Sequence, residues 1–321
     1  MCLYRFKDGN QCRLEDAGKG LCYWHDPTIK KNNEPLANQL SDLVKAGHSM
    51  EGACLAYANL DDVNLVSQRS ENAYSLANAD LFHASLHRAH LFKVDMSGAS
   101  LMKADCSEAN VHYANLEAAN LLGAKFDGAK IENVHWGKTL FHEALGFEAC
   151  AQKNQEKAVV YFEQAEEVAR HLRKVSEHEG LFELAGHFFI KEMINRRRQM
   201  PRWSWQRLLS KAVDLFCGYG EQPARVVGFS LCLIFIFAIA FWVFGIEDGS
   251  HVIQFSLDAS WQQNLLNLGN TLYFSVVTFT TLGYGDLVPI GFSRMLAAIE
   301  AFTGSFTLAL FVVVFVKKMT R

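Results

Sequence analysis

Two groups of residues have types and spacings suited to holding a cation, and they lie far apart in the chain. The first is Thr280-Thr281-Leu282-Gly283-Tyr284-Gly285-Asp286. A dehydrated cation needs a close cage of oxygens, which backbone carbonyls supply when they all turn toward one axis. Gly283 and Gly285 permit the positive φ values this takes. Thr281 can add its hydroxyl at one end, and Asp286 places an acid at the other, where it concentrates cations. The second group is Cys2, Cys12, Cys22 and His25, spaced C-x9-C-x9-C-x2-H with Gly9, Gly18 and Gly20 between. Three thiolates and an imidazole make a closed tetrahedral zinc set, the form of a structural site. A short, loop-rich segment with almost no core needs such a staple. Three unrelated cytosolic thiols are the alternative.

The elements around the first group must bring it to membrane depth. Residues 226–246, VVGFSLCLIFIFAIAFWVFGI, carry no charge. At about 1.5 Å per residue they reach roughly 31 Å, enough to cross the hydrocarbon core. A second run, 295–316, has Glu300 as its only charge. Core helices of a soluble protein are the alternative for both. Arg196, Arg197, Arg198, Arg202, Arg207, Lys211 and Arg225 precede the first run, and Lys317, Lys318 and Arg321 follow the second. Between Val226 and Ser293 there is no Lys or Arg. The positive-inside rule then places both termini in the cytoplasm and the intervening segment outside. Within it, Asn264–Thr280 is an amphipathic stretch long enough for a helix whose C-terminal dipole faces a cation. Pro289 ends the loop, and the second span begins near Ser293.

With two spans at this spacing, Thr281–Gly285 resembles the T-x-G-Y-G selectivity filter of the two-transmembrane potassium channels. The resemblance implies a re-entrant pore loop, K+ as permeant ion, and one pore built by four copies. It makes Thr281, Leu282, Gly283, Tyr284 and Gly285 the filter and Asp286 an acid of the outer mouth. Tyr273 and Phe274 fall where the family places an aromatic cuff acting through the Tyr284 ring. Glu300 is costly inside a membrane and is read as a structural support behind the filter. Gly304 falls where relatives have a hinge glycine, so it is a candidate hinge, with helix–helix packing the equal alternative. Leu282 stands where Val or Ile is commoner, and Val277 where some relatives carry an acid. No arginine-rich voltage-sensor helix accompanies the two spans, so steep voltage gating is not expected. Because only five residues follow Val316, ligand control is expected from the N-terminal side.

A third pattern is a repeat. From Leu81 to Trp136 every fifth residue is large and apolar, and two positions before each stands Ala or Val. A period of five fits neither a helix nor a strand. The pattern resembles that of pentapeptide-repeat proteins, which wind a right-handed quadrilateral β-helix with four repeats per coil. The same spacing at Leu55, Leu60 and Leu65 slips by one residue before Leu76, so a bulge or loop near Gln68–Tyr74 is expected. Residues 53–136 make about four coils, a rod of roughly 20 Å. Ten acids and six bases give it a mixed surface, against DNA mimicry. His83, His87, His90, His112 and His135 are never twenty apart, so they should not stack and read as surface histidines. Cys106 occupies an interior position and reads as a small hydrophobe.

Residues 154–199 read as two amphipathic helices broken at Gly180, similar to the helical pair that often follows pentapeptide repeats. Their stripes are Ala158, Tyr161, Phe162, Ala165, Val168, Ala169 and Leu172, then Phe182, Ala185, Phe189 and Met193. Arg196–Arg198 is read as an approach to anionic lipid. After Pro201 one helical face holds Trp205, Leu208, Leu209, Ala212, Val213 and Phe216. That is an interfacial helix, resembling the slide helix of some potassium channels. The Cys-Cys-Cys-His spacing resembles small plant and chromatin-associated zinc modules.

With 31 Lys+Arg against 34 Asp+Glu in 321 residues, the chain is near neutral, which argues against nucleic-acid binding. The N-terminus lacks the apolar run of a signal peptide, so disulfides are not expected among its eight cysteines. No residue set for covalent or acid–base catalysis is present, so an enzyme is not expected. The sequence therefore predicts a multidomain membrane protein. Its parts are a zinc-binding-like knot (1–27), a pentapeptide β-helix (53–136), an α-helical hairpin (154–199), an interfacial helix (201–217) and a two-transmembrane pore domain (224–318). The expected function is a homotetrameric potassium channel gated or assembled by its cytoplasmic module, through a ligand or protein partner the sequence does not name. A membrane-anchored scaffold without conduction is the alternative. A membrane-tethered transcriptional regulator lacks a basic recognition surface.

Overall fold

The computed structural model describes residues 1–32, 36–66, 74–249 and 251–319. It divides into two compact units, Met1–Arg207 and Leu208–Arg321.

The five-residue period builds the centre of the first unit. Ala and Leu positions such as Ala84, Leu86, Ala89 and Leu91 are all buried along the axis. The polar residue closing each repeat has a local task. Asp80, Asp95, Asp105, Asn110, Asn115 and Asn120 each accept a hydrogen bond from the N–H two residues on. That is the Asx turn, which explains why the repeat asks for Asp or Asn there. Each turn leaves its next residue at positive φ, as at His83 and Glu108, and Arg88 in the Ser85 repeat shares that conformation. The cost to a non-glycine is about 1 kcal/mol, and it is offset by coil-to-coil bonds such as Arg88 N–H to Ser107 O at 3.0 Å.

Parallel bridges join residues twenty apart after the slip (Ser85 with Asp105, Asn115 with His135) and twenty-six apart before it (Cys54 with Asp80, Asn59 with Ser85). An extra six residues, one repeat and one more, therefore account for the lost register. The bulge expected near Gln68–Tyr74 falls almost wholly outside the described residues. Three of the five histidines meet acids of adjacent coils, His87 with Glu108 at 3.7 Å, His112 with Glu132 at 3.4 Å and His135 with Glu117 at 3.5 Å, while His83 stacks on Tyr57.

Both mouths of the β-helix are covered. At the N-terminal mouth, Trp24 O accepts from Cys54 N–H at 2.7 Å. Helix α1 (Ala37–Lys45), which the periodicity does not announce, buries Leu40 and Val44 in the same core as Leu55. At the C-terminal mouth Leu140, then α3 (Gln155–His178) and α4 (Phe182–Gln199), add Val168, Leu172, Val175 and Phe188 to that core. Helix α2 (Phe141–Ala151), also unannounced, packs on α3.

The apolar stripe expected on α4 is displaced. Phe182 is exposed and Phe189 and Met193 are half-buried, while Ala185, Phe188, Glu192 and Asn195 face inward. Polar pairing decides this. Glu192 accepts from Arg170 at 3.1 Å and Arg173 at 2.8 Å, so a charged residue occupies the helix–helix seam. Of Arg196–Arg198, read as an approach to lipid, Arg198 is turned inward by similar contacts while Arg196 stays exposed. The Arg198 guanidinium lies 4.3 Å from the Phe147 ring centroid and bonds to Asn195 Oδ1, and Arg196 lies 3.7 Å from Glu166. Buried Glu143 takes Lys191 Nζ at 2.9 Å and Asn195 Nδ2 at 2.8 Å, pinning α2 to α4.

The second unit is helical. Helix α5 (Trp205–Cys217) begins just before it, and a 3₁₀ turn at Gly218–Gly220 leads to α6 (Pro223–Phe244). Pro223 sits in the first turn, where its missing N–H costs nothing. Helix α7 (Trp261–Phe279) starts at Ser260, whose hydroxyl accepts from Gln263 N–H at 3.3 Å. Helix α8 (Ser293–Met319) completes the unit. Both α6 and α8 are long and apolar enough to cross a membrane. A small antiparallel sheet not foreseen in the sequence joins β1 (Ile246–Glu247) to β2 (Val252–Ile253) on one side and β3 (Val288–Pro289) on the other. It ties the chain leaving α6 to the loop entering α8. Phe241, Ile246, Ile253 and Phe274 form the core beneath it.

Candidate ion-conduction site and metal centre

Backbone hand alternates through the glycine-bearing loop. Thr281, Gly283 and Gly285 have φ of 57°, 57° and 77°, whereas Leu282 and Tyr284 between them are not left-handed. Such alternation turns successive peptide planes the same way and gathers their carbonyls on one side. Sequence reasoning assigned positive φ to the glycines alone. Thr281 is a β-branched residue in a conformation such residues avoid, the kind of strain that collects at functional sites. Helix α7 hands directly into the loop: Thr281 N–H reaches Thr278 O and Leu282 N–H reaches Val277 O, both at 3.0 Å. No donor among the described residues reaches the carbonyls of Thr281–Gly285. They are free to face a cation, with the negative end of the α7 dipole beneath them.

The residues expected to support the loop part company. Phe274 packs edge-on against Phe241 of α6 with ring centroids 4.9 Å apart, so it braces α7 on α6. The Tyr273 side chain instead lies near the Asp286 carboxylate. Leu282 and Tyr284 side chains are exposed in the single chain. Glu300 is fully buried and its carboxyl meets Ser275 Oγ, which also donates to Ile234 O at 2.8 Å. One hydroxyl thereby pins α7 to both α6 and α8.

Gly304 lies at a close helix–helix contact. Helix α8 runs unbroken through it, and a Cβ built there would stand 2.1 Å from Phe279 O and 2.9 Å from Phe279 C. The last residue of α7 rests on bare α8 backbone at this point.

At the other end of unit two lies a cluster that sequence reasoning did not find. Gly218, Tyr219 and Gly220 are all left-handed, with φ of 54°, 56° and 82°. The Tyr219 hydroxyl bonds to Ser210 Oγ at 2.9 Å, and Arg225 Nη1 to Asp214 Oδ1 at 2.9 Å. Just beyond the turn, Glu221 pairs with Lys317 near the end of α8. The residues are ninety-six apart in sequence. An ordinary Lys and an ordinary Glu at that separation carry no signal.

Cys2, Cys12, Cys22 and His25 come together, all buried, with their ligand atoms within 4.8 Å of one another. Cys12 Sγ lies 3.9 Å from Cys22 Sγ, and His25 Nδ1 lies 3.7 Å from Cys2 Sγ and 3.1 Å from Cys22 Sγ. The edge of a tetrahedral thiolate site is about 3.8 Å, so the donor set fits zinc with little movement. The outer shell fits as well. His25 Nε2 faces Glu51 O at 3.0 Å, which fixes its proton on that nitrogen and leaves the Nδ1 lone pair among the sulfurs. Burial pushes Cys12 up to about 12 and raises Cys22. Burial also lowers His25, keeping it neutral. At Cys2 burial acts upward too, but hydrogen bonds from Tyr4 and Cys22 outweigh it and bring the thiol down. Zinc bound here would act as a staple, since four protein ligands leave no open position.

Two apolar helices flank a shorter helix and a loop whose carbonyls take no hydrogen bond from the described residues. Residues 229–321 match the profile of the family described as "Ion channel", and residues 99–135 match "Pentapeptide repeats" in eight copies. The chain thus joins an ion-channel domain to a pentapeptide-repeat β-helix, with a Cys-Cys-Cys-His cluster at its start. It is 37% identical over 57 residues to Protein LctB of Geobacillus stearothermophilus, a match covering 18% of this chain and 42% of that protein. The chain therefore spans less than half of that relative's length. Among solved structures it is similar to the pentapeptide repeat protein Rfr23 of the cyanobacterium Cyanothece 51142, at 29% identity over 28% of this chain and 54% of that one, with a TM-score of 0.18. It is also similar to HetL of Nostoc sp. strain PCC 7120, a pentapeptide repeat protein involved in heterocyst differentiation regulation. There the identity is 30%, the coverage 27% and 48%, and the TM-score 0.21.

Proposed function

We propose that four copies of this chain form a potassium-selective channel, controlled by a cytoplasmic N-terminal module that zinc staples. The observation that carries the reading is the left-handed alternation at Thr281, Gly283 and Gly285 with the carbonyls left free. Carbonyl oxygens replacing a hydration shell is the chemistry of potassium conduction. A backbone of this form inside a membrane is tolerated only where it lines such a cavity. The loop re-enters from the outer side, and the exposed Leu282 and Tyr284 side chains pack against neighbouring copies. A non-conducting scaffold has no use for this loop. Replacing Gly283 with Val removes the left-handed residue and should abolish potassium flux in liposomes while the tetramer persists. Unchanged flux would remove Thr281–Gly285 from the conduction path and leave the scaffold.

The gating reading rests on the cluster at Glu221 and Lys317. The inner end of α8 must move to open a pore, and this ion pair holds it to the turn that follows α5. Breaking the pair with Lys317→Met or Glu221→Gln should raise the open probability. Side chains at the pair are partly shielded, so a shift of about threefold to tenfold is expected, the effect of roughly 0.6–1.4 kcal/mol. The swap Lys317→Glu with Glu221→Lys should return it toward the original value. Single variants that gate as the original does would exclude the latch.

A further inference from the structure

The last coil of a β-helix has no successor, so N–H groups that every earlier coil donates forward find no carbonyl there. One coil back, Leu101, Lys103, Cys106 and Glu108 donate to Asn120, Leu122, Lys125 and Asp127, each at 2.9 Å. Their counterparts Leu121, Gly123, Phe126 and Gly128 donate to no acceptor among the described residues. Leu121 and Phe126 are buried, so these donors do not all turn to bulk water.

Two cavities of about 270 and 260 Å³ open beside them, between this coil and α3. Leu121 and Gly123 line the first and Gly128 the second, while His171 and Lys174 line both. Lys125 and Arg170 add further positive charge, against the two carboxylates Glu167 and Asp127. Arg170 is engaged by Glu166 and Glu192, and Lys125 by Asp105 at 3.6 Å. Lys174 makes no ion pair among the described residues.

We infer that this mouth of the β-helix binds the phosphate group of a small soluble anion. A phosphate dianion presents three unprotonated oxygens as acceptors, which is what a row of backbone N–H donors beside lysines lacks. A planar carboxylate presents two oxygens in one plane and serves fewer of the donors. Gly123 lines the first cavity and Gly128 the second, and Lys174 lines both from α3. The site lies wholly in the first unit and does not depend on whether the second unit conducts.

Calorimetric titration of inorganic phosphate into the full chain in detergent, at constant ionic strength with nitrate as the control anion, tests this. Saturable binding at one site per chain is expected, with no binding of nitrate. Lys174→Ala should weaken it by roughly tenfold or more, the loss of one charge-assisted contact, with the melting temperature unchanged. Lys157→Ala, an exposed lysine earlier on α3, should leave it intact. Binding to phosphatidate vesicles without binding of free phosphate would overturn the soluble ligand in favour of a lipid headgroup. Absence of saturable binding, or equal affinity in Lys174→Ala, would overturn the site.

Discussion

Replacing Gly304 with Val is expected to abolish ion flux and to lower the stability of the pore unit. A Cβ at this position falls 2.1 Å from Phe279 O, and the atom it meets is backbone, which cannot rotate away. Either α8 bends or the end of α7 is pushed off, and the loop beginning at Thr281 moves with it. Overpacking of this kind costs about 1–3 kcal/mol or more. Gly304→Ala separates the two readings of the residue. Packing requires that even one methyl lower the melting temperature of the assembled channel. A pure hinge requires unchanged stability with altered gating, and that result would contradict the contact described here.

Removing metal is expected to have the largest effect on the first unit. Structural zinc in small Cys/His modules supplies about 10–16 kcal/mol of apparent binding energy near neutral pH. Most of the fully buried side chains of residues 1–27 are the ligands themselves, with Tyr4, Phe6, Leu14 and Leu21 only partly buried against the β-helix core. Treatment with a high-affinity chelator, or Cys12→Ser, should unfold this segment and uncover the N-terminal mouth of the β-helix. Amide exchange would report it first at Cys54, whose N–H is bonded to Trp24 O. The pH dependence has a definite sign. Burial raises both Cys12 and Cys22, so proton loss from these thiols must accompany metal binding. Metal affinity should therefore rise with pH through neutrality and fall on acidification. A segment that stays protected from exchange after chelation would rule out the staple.

Periodicity carried most of what could be read in advance. A repeat of five sets every interior residue of the β-helix, and uncharged runs between basic flanks set the two helices long and apolar enough to cross a membrane, because both depend on burial alone. The Cys-Cys-Cys-His set was legible because few residue types bind zinc. Contacts between charged residues were not legible. Glu192 in the α3–α4 seam, Arg198 on the rings of Phe147 and Phe162, and Glu221 with Lys317 all look like surface residues in sequence. Nor was the left-handed Thr281, whose conformation is imposed by its surroundings against its own preference. Short elements also escaped: α1, α2 and the three two-residue strands are set by what they cover rather than by a pattern of their own.

The most direct test of the central claim is ion flux through the purified chain reconstituted in liposomes, with potassium and sodium compared under the same gradient. The account predicts potassium flux far above sodium flux, lost in Gly283→Val. Equal fluxes of the two ions, or silence from verified tetramers across chains with and without residues 1–150, would contradict it.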